Sequence, residues 1–160
     1  MTVREIRLWG DPVLRTPCDE VLVFDAEIKA LCDDLLDTVT SEPGRAGLAA
    51  NQIGVSLRAF SWYVDGGAGV IVNPRLIESS GEQDDDEGCL SLPGLWFPCR
   101  RAMKATVTGS DASGHPITVS GSGLLARCLQ HETDHLDGKL FVDRLTGETK
   151  RDALRAAREK

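Results

Sequence analysis

The segment His131-Glu132-Thr133-Asp134-His135 restricts this chain more than any other. Its two imidazoles stand at i and i+4, positions that on a helix sit on one face one turn apart. There both rings can offer a nitrogen to one cation, and the glutamate beside the first ring is close enough to handle the proton of an activated water. The segment lies inside a longer helical pattern. Leu124, Leu125, Cys128, Leu129, His131, Glu132 and His135 follow Gly123, and Gly138 is placed to end the helix. The competing reading is a chance pattern on an ordinary helix. Against it, the motif uses two of the only three histidines in the chain.

A hydrolytic metal site needs three protein ligands and one open position. No histidine follows His135, and Glu148 lies beyond the glycine that closes the helix. Upstream, Glu87-Gly88-Cys89-Leu90-Ser91 offers a thiolate at Cys89, with Gly88 beside it to let the backbone approach closely. Cys18, Cys32, Cys99 and Cys128 read instead as small buried core residues. Five cysteines with no Cys-x-x-Cys pair do not form a disulfide framework, so we expect a reducing cytoplasm in which one thiolate remains available.

The rest of the chain supports an α+β fold. A second helix is expected from an Asp25 N-cap, with Ile28, Leu31, Cys32, Leu35, Leu36 and Val39 on one apolar face and Pro43-Gly44 as the stop. Strand-like runs follow at 58–64, 70–77, 102–108 and 117–120, divided by turns that include Asp65-Gly66-Gly67, Asn73-Pro74 and Asp111-Ala112-Ser113-Gly114. A short charged helix is expected from Thr146. The architecture is therefore read as short, mostly antiparallel sheets packed around a central metal-binding helix, with one N-terminal and one C-terminal helix. One domain over residues 1–160 fits the length. A formal net charge of −7 argues against specific DNA binding, and no run approaches the ~20 apolar residues of a membrane span. No apolar run follows the charges of the opening residues, so a secretory signal is not expected. The acid run Glu82, Asp84, Asp85, Asp86 and Glu87 reads as a solvated loop, with repulsion of acidic side chains near a bound peptide as the sharper alternative.

Three stretches together resemble the peptide deformylase family: Gly47-Leu48-Ala49-Ala50-Asn51-Gln52, Glu87-Gly88-Cys89-Leu90-Ser91, and Gln130-His131-Glu132-Thr133-Asp134-His135-Leu136-Asp137-Gly138. They occur in the family's order and at its approximate spacing. The resemblance implies removal of the formyl group from N-formylmethionine at the start of nascent bacterial polypeptides. It implies one divalent metal, Fe²⁺ expected and Zn²⁺ or Ni²⁺ as substitutes, held by Cys89, His131 and His135. By the same analogy the Gln52 amide and the Leu90 N–H bind the oxyanion, Glu132 transfers protons, and Asp134 pairs with Arg101. The methionine side chain needs an apolar slot, for which Ala46, Gly47, Leu124 and Cys128 are the candidates; Trp96 and Phe97 are candidates for the outer cleft. One position departs from the family pattern: Arg45 stands where a glycine is usual. The tail from Lys150 to Lys160 holds five basic and two acidic residues. It reads as a solvated helix, or as a contact with the ribosome, where the family works.

Two rival readings use the same residues. A zincin-like endopeptidase would share the helix motif, but the Cys89 motif and the small size argue against it. A metal-retaining binding module would need a defect among Gln52, Cys89, Glu132 and the two histidines, and none is visible.

Overall fold

The structure is a computed structural model that describes residues 2–159. Helix α1 (Ala26–Thr40) begins where the sequence predicts: the Asp25 carboxylate accepts from the Glu27 and Ile28 N–H groups. Its apolar face buries Ile28, Leu31, Cys32, Leu35 and Val39. Strands β1 (Gly47–Ala49), β2 (Ala59–Val64), β3 (Gly67–Ser80), β4 (Gln83–Cys89), β5 (Leu92–Arg101), β6 (Lys104–Ser110) and β7 (Pro116–Ser122) follow. Helix α2 (Gly123–Leu136) carries the histidine motif, and helix α3 (Gly147–Arg158) ends the chain's regular structure.

The first sheet has the order β1-β2-β3-β6-β7, with every neighbour antiparallel. Period-two alternation gives it two apolar faces. Leu48, Ala59 and Val72 pack with α1, while Ala49, Phe60, Ile71 and Val107 pack with Leu129 and Leu136 of α2. The two helices therefore lie on opposite faces of this sheet. Ser61, on the α1 side, donates its hydroxyl to the Leu35 carbonyl at 3.0 Å. Asn73-Pro74 is not the dividing turn the sequence suggests. It is a bulge inside β3, with Asn73 at φ +52° and its side chain bonded to both the N–H and the C=O of Val21.

The β4–β5 hairpin forms a second sheet and corrects the reading of the acid run as a loop. Asp84, Asp85 and Asp86 are exposed on strand β4, but Gln83 and Glu87 are buried. Cys89, Leu92 and Cys99 of this hairpin pack with Phe141, Val142, Ala153 and Ala157, which fixes the hairpin against α3. The consequence is that α2 lies between the five-stranded sheet and the segment that carries Cys89. No helix among the described residues is long and apolar enough to cross a membrane.

Candidate metal centre

Helix α2 sets His131 and His135 one turn apart, with their Nε2 atoms separated by 3.1 Å. Cys89 arrives from the end of β4, where the pairing register shifts between Gly88 and Cys89. Its sulfur lies 3.4 Å from His135 Nε2. One ligand atom from each of the three residues falls within 4.8 Å of the others, and all three residues are buried.

Each imidazole is prepared differently. Glu87 accepts from His131 Nδ1 at 2.7 Å, so that deprotonation of the ring, as cation binding requires, would leave the lone pair on Nε2 toward Cys89 and His135. Burial, then the charges of His131 and Arg101, hold the His135 pKa well below the ordinary value, so that ring is neutral. Burial also acts to neutralise His131, but Glu132, Cys89 and Glu87 raise its pKa well above the usual value. Glu132, Cys89 and Glu87 thus favour positive charge at His131, beside the point where three electron-pair donors converge. A divalent cation meets that requirement, and two imidazoles with a thiolate suit several first-row metals.

Glu87, assigned to a solvated loop from the sequence, is the centre of a buried ionic network. It accepts from Arg101 at 3.0 and 2.6 Å and from Arg127 at 2.8 Å. Arg101 donates its remaining nitrogen to Asp134 at 2.7 Å, the pairing the resemblance implies, and Arg144 closes the chain on Asp134 at 2.6 and 3.0 Å. Burial acts to raise the Glu87 pKa, but the bonds from His131 and Arg101 outweigh it and leave the carboxyl well below its ordinary value. Had 83–89 been read as a strand, period-two spacing would have put Glu87 on the same face as Cys89.

Glu132 Oε2 lies 3.9 Å from His131 Nε2. Its other oxygen is buried without a partner among the described residues, and burial raises the carboxyl to about 7. Gly47 backs directly onto it. A Cβ at residue 47 would lie 2.7 Å from Glu132 Oε2 and 2.6 Å from the Cys128 sulfur, so only glycine leaves that carboxylate in place. Gln52 is fixed at both ends. Its Oε1 accepts from the Ala49 N–H at 2.9 Å, and its Nε2 donates to Ser91 Oγ at 3.1 Å and Cys89 Sγ at 3.6 Å. Leu90 is half-buried between Cys89 and Ser91.

Among the pocket candidates, Leu124 and Cys128 share the face of α2 that continues to Glu132. Leu124 is 53% exposed, whereas Cys128 is buried and donates its thiol to the Ala46 carbonyl at 3.3 Å. This face of the helix thus runs from solvent to the carboxylate. Burial keeps Cys128 a neutral thiol, with its pKa well above the usual value, and raises Cys18 and Cys32 to about 11. Trp96 remains outside, 61% exposed, over the bare face of Gly88. Phe97, suggested for the outer cleft, pairs across from Glu87 and is half-buried against the cluster beside α3. Arg45 donates to the Thr38 carbonyl at 2.8 Å and to Glu42 at 3.1 Å, covering the end of α1.

If Cys89 is a ligand, Cys89→Ala should fold but retain far less metal after desalting than the wild type. Elemental analysis of the two proteins side by side reads this; equal occupancy removes the sulfur from the ligand set.

A helix bearing His-Glu-x-x-His, met by a cysteine from a β-hairpin and backed by a buried carboxylate, is a candidate metal centre of the kind hydrolases use. The family model described as polypeptide deformylase matches residues 3–151. The chain is 57% identical over 159 residues to a peptide deformylase of Acidothermus cellulolyticus, covering 99% of this chain and 88% of that one. It superimposes on the crystal structure of a peptide deformylase from Legionella pneumophila with a TM-score of 0.90 at 43% identity, covering 99% of this chain and 95% of the other. The peptide deformylase of Thermus thermophilus gives a TM-score of 0.90 at 41% identity, with 98% and 94% covered. The chain belongs to the polypeptide deformylase family.

Proposed function

We propose that this enzyme hydrolyses the N-formyl group of formylmethionine at the start of nascent polypeptides and releases formate. The observation that carries the reading is the convergence of Cys89, His131 and His135 beside the buried carboxylate of Glu132. The family membership supports the substrate, and Ala46, Gly47, Leu124 and Cys128 are the residues we assign to the methionine side chain.

A divalent ion, when bound by Cys89, His131 and His135, supplies Lewis-acid activation of water and of the formyl oxygen. Glu132 accepts the proton of the attacking water. A carboxyl raised to about 7 is matched to that task near neutral pH. Attack on the formyl carbon makes a tetrahedral oxyanion. The Gln52 amide, held by Ala49 and Ser91, and the Leu90 N–H donate to it, each donor being worth about 3 kcal/mol in comparable sites. The C–N bond then breaks as Glu132 delivers its proton to the leaving amine.

Fe²⁺ is the ion we expect in the cell, with Zn²⁺ or Ni²⁺ able to replace it, and the cytoplasm is the compartment that supplies formylated chains. An iron–thiolate site is open to oxidation. The test is therefore anaerobic purification followed by formate release from a formyl-Met peptide. Stoichiometric formate supports the reading, and cleavage of internal peptide bonds instead would overturn it.

A contact with the ribosome through the basic C-terminal helix belongs to the same reading. Ala153 and Ala157 pack inward, and Arg151, Arg155 and Arg158 are exposed; Lys160, also counted in the basic tail, lies outside the described residues. Reversing the three arginines to glutamate should reduce co-sedimentation with ribosomes and leave turnover of a free formyl-peptide unchanged. Undiminished co-sedimentation rejects the contact.

A further inference from the structure

We propose that Asn51 is a positioning residue that ties the turn bearing Gln52 to the metal helix at His135. The inference rests on the deformylase reading of the centre, and concerns a side chain to which that reading gives no role.

Asn51 is fully buried in the 3-10 turn Ala50–Ile53. Its Nδ2 donates to the backbone carbonyl of His135 at 2.6 Å, joining residues 84 positions apart. That carbonyl already accepts the Gly138 N–H at 3.0 Å, so the bond is not needed to complete the end of α2. It is an additional tie between two segments. The neighbouring residue on the turn is Gln52, whose amide reaches Ser91 and Cys89. The Gln52 carbonyl accepts the Arg7 N–H at 2.7 Å. One four-residue turn therefore touches α2 through Asn51 and the β4–β5 turn through Gln52. A 3-10 turn is short and internally hydrogen-bonded, so fixing Asn51 against His135 also fixes the Gln52 amide relative to the ligand cluster.

The energetics separate this role from plain stabilisation. Asn51 Oδ1 is buried with no partner among the described residues. Losing the Asn51 donor leaves the His135 carbonyl with the Gly138 N–H, so no buried backbone acceptor is orphaned and the cost to stability is modest. What it does add is a defined spacing between Gln52 and His135. Residues that orient ligands from outside the ligand set typically contribute about 10- to 100-fold in metal affinity or activity.

The test uses the full chain with Co²⁺ alone as probe, comparing wild type with Asn51→Ala and with Asn51→Leu, which is close to asparagine in shape and removes the donor without adding a charge. Three readings are taken: Co²⁺ affinity by chelator competition, the cobalt absorption bands, and the melting temperature of metal-free protein. Turnover of a formyl-peptide, split into kcat and KM, is the fourth. We expect Co²⁺ affinity to fall about 10-fold or more in both variants, with displaced bands and kcat lowered at nearly constant KM. The metal-free melting temperature should change little. If Asn51→Ala does not fold, the similarly shaped, uncharged Asn51→Leu gives the decision. Unchanged Co²⁺ affinity and bands in the folded variants overturn the proposal, whatever happens to the melting temperature. Wild-type protein that binds no Co²⁺ would refute the metal reading itself, which is a separate failure.

Discussion

Replacing Glu132 with alanine should leave the metal bound and lower kcat by about 10²- to 10⁴-fold, the usual range for loss of a positioned general acid–base group. The carboxylate lies 3.9 Å from His131 Nε2 but is not one of the three convergent donors. Its removal takes no ligand from the cluster. It also leaves the Glu87–Arg101–Asp134 network intact, since Glu132 contributes none of those hydrogen bonds. The expected signature is therefore a divorce of occupancy from turnover: normal metal content, normal folding, almost no formate. An alanine variant with near wild-type kcat would show that another group moves the proton. Glu132→Gln should behave in the same way, because an amide of the same shape has no basic oxygen at neutral pH.

Replacing Glu87 with alanine should be the most destabilising change in the set. Glu87 is 3% exposed and is the shared partner of Arg101, Arg127 and His131. Without it Arg127 loses its carboxylate partner and Arg101 keeps only Asp134. Removing one member of a buried ion pair costs about 3–5 kcal/mol, because the remaining charge stays desolvated. For a chain of this size each kcal/mol shifts the melting temperature by about 2–4 °C, so a fall of roughly 6–20 °C is expected. The measurement is made on metal-free protein to keep metal binding out of the comparison. The loaded protein should show a second loss, since His131 no longer has the acceptor that fixes its tautomer. A melting temperature within 2 °C of wild type would mean that the buried network has no structural weight.

These two residues mark where the sequence is legible and where it is not. Glu132 stands out because i, i+4 spacing on a helix carries a strong geometric implication, and the same spacing locates both histidines. Helix α1 is readable from its apolar stripe and its Asp25 cap. Strands β2, β3, β6 and β7 are readable from β-branched alternation, though Asn73-Pro74 proves to be a bulge rather than a turn. The β4–β5 hairpin is hidden for a physical reason. Gln83-Asp84-Asp85-Asp86-Glu87 has low strand propensity and no apolar alternation, because its inward positions are filled by Gln83 and Glu87, each satisfied by hydrogen bonds, rather than by hydrophobic groups. Composition cannot distinguish a carboxylate bonded to two arginines from one bonded to water. For the same reason Arg144 escapes notice in the sequence: its role depends on a fold that brings it to Asp134. The four other cysteines belong to the core as expected, and all are buried.

The shared dependence of every step above is on one cation held by a sulfur and two imidazole nitrogens. X-ray absorption at the zinc K-edge of the Zn²⁺-loaded wild-type protein addresses this directly. The expected spectrum has one sulfur scatterer at about 2.3 Å and two imidazole nitrogens at about 2.0–2.1 Å. A stoichiometrically loaded sample whose spectrum contains no sulfur shell would contradict it.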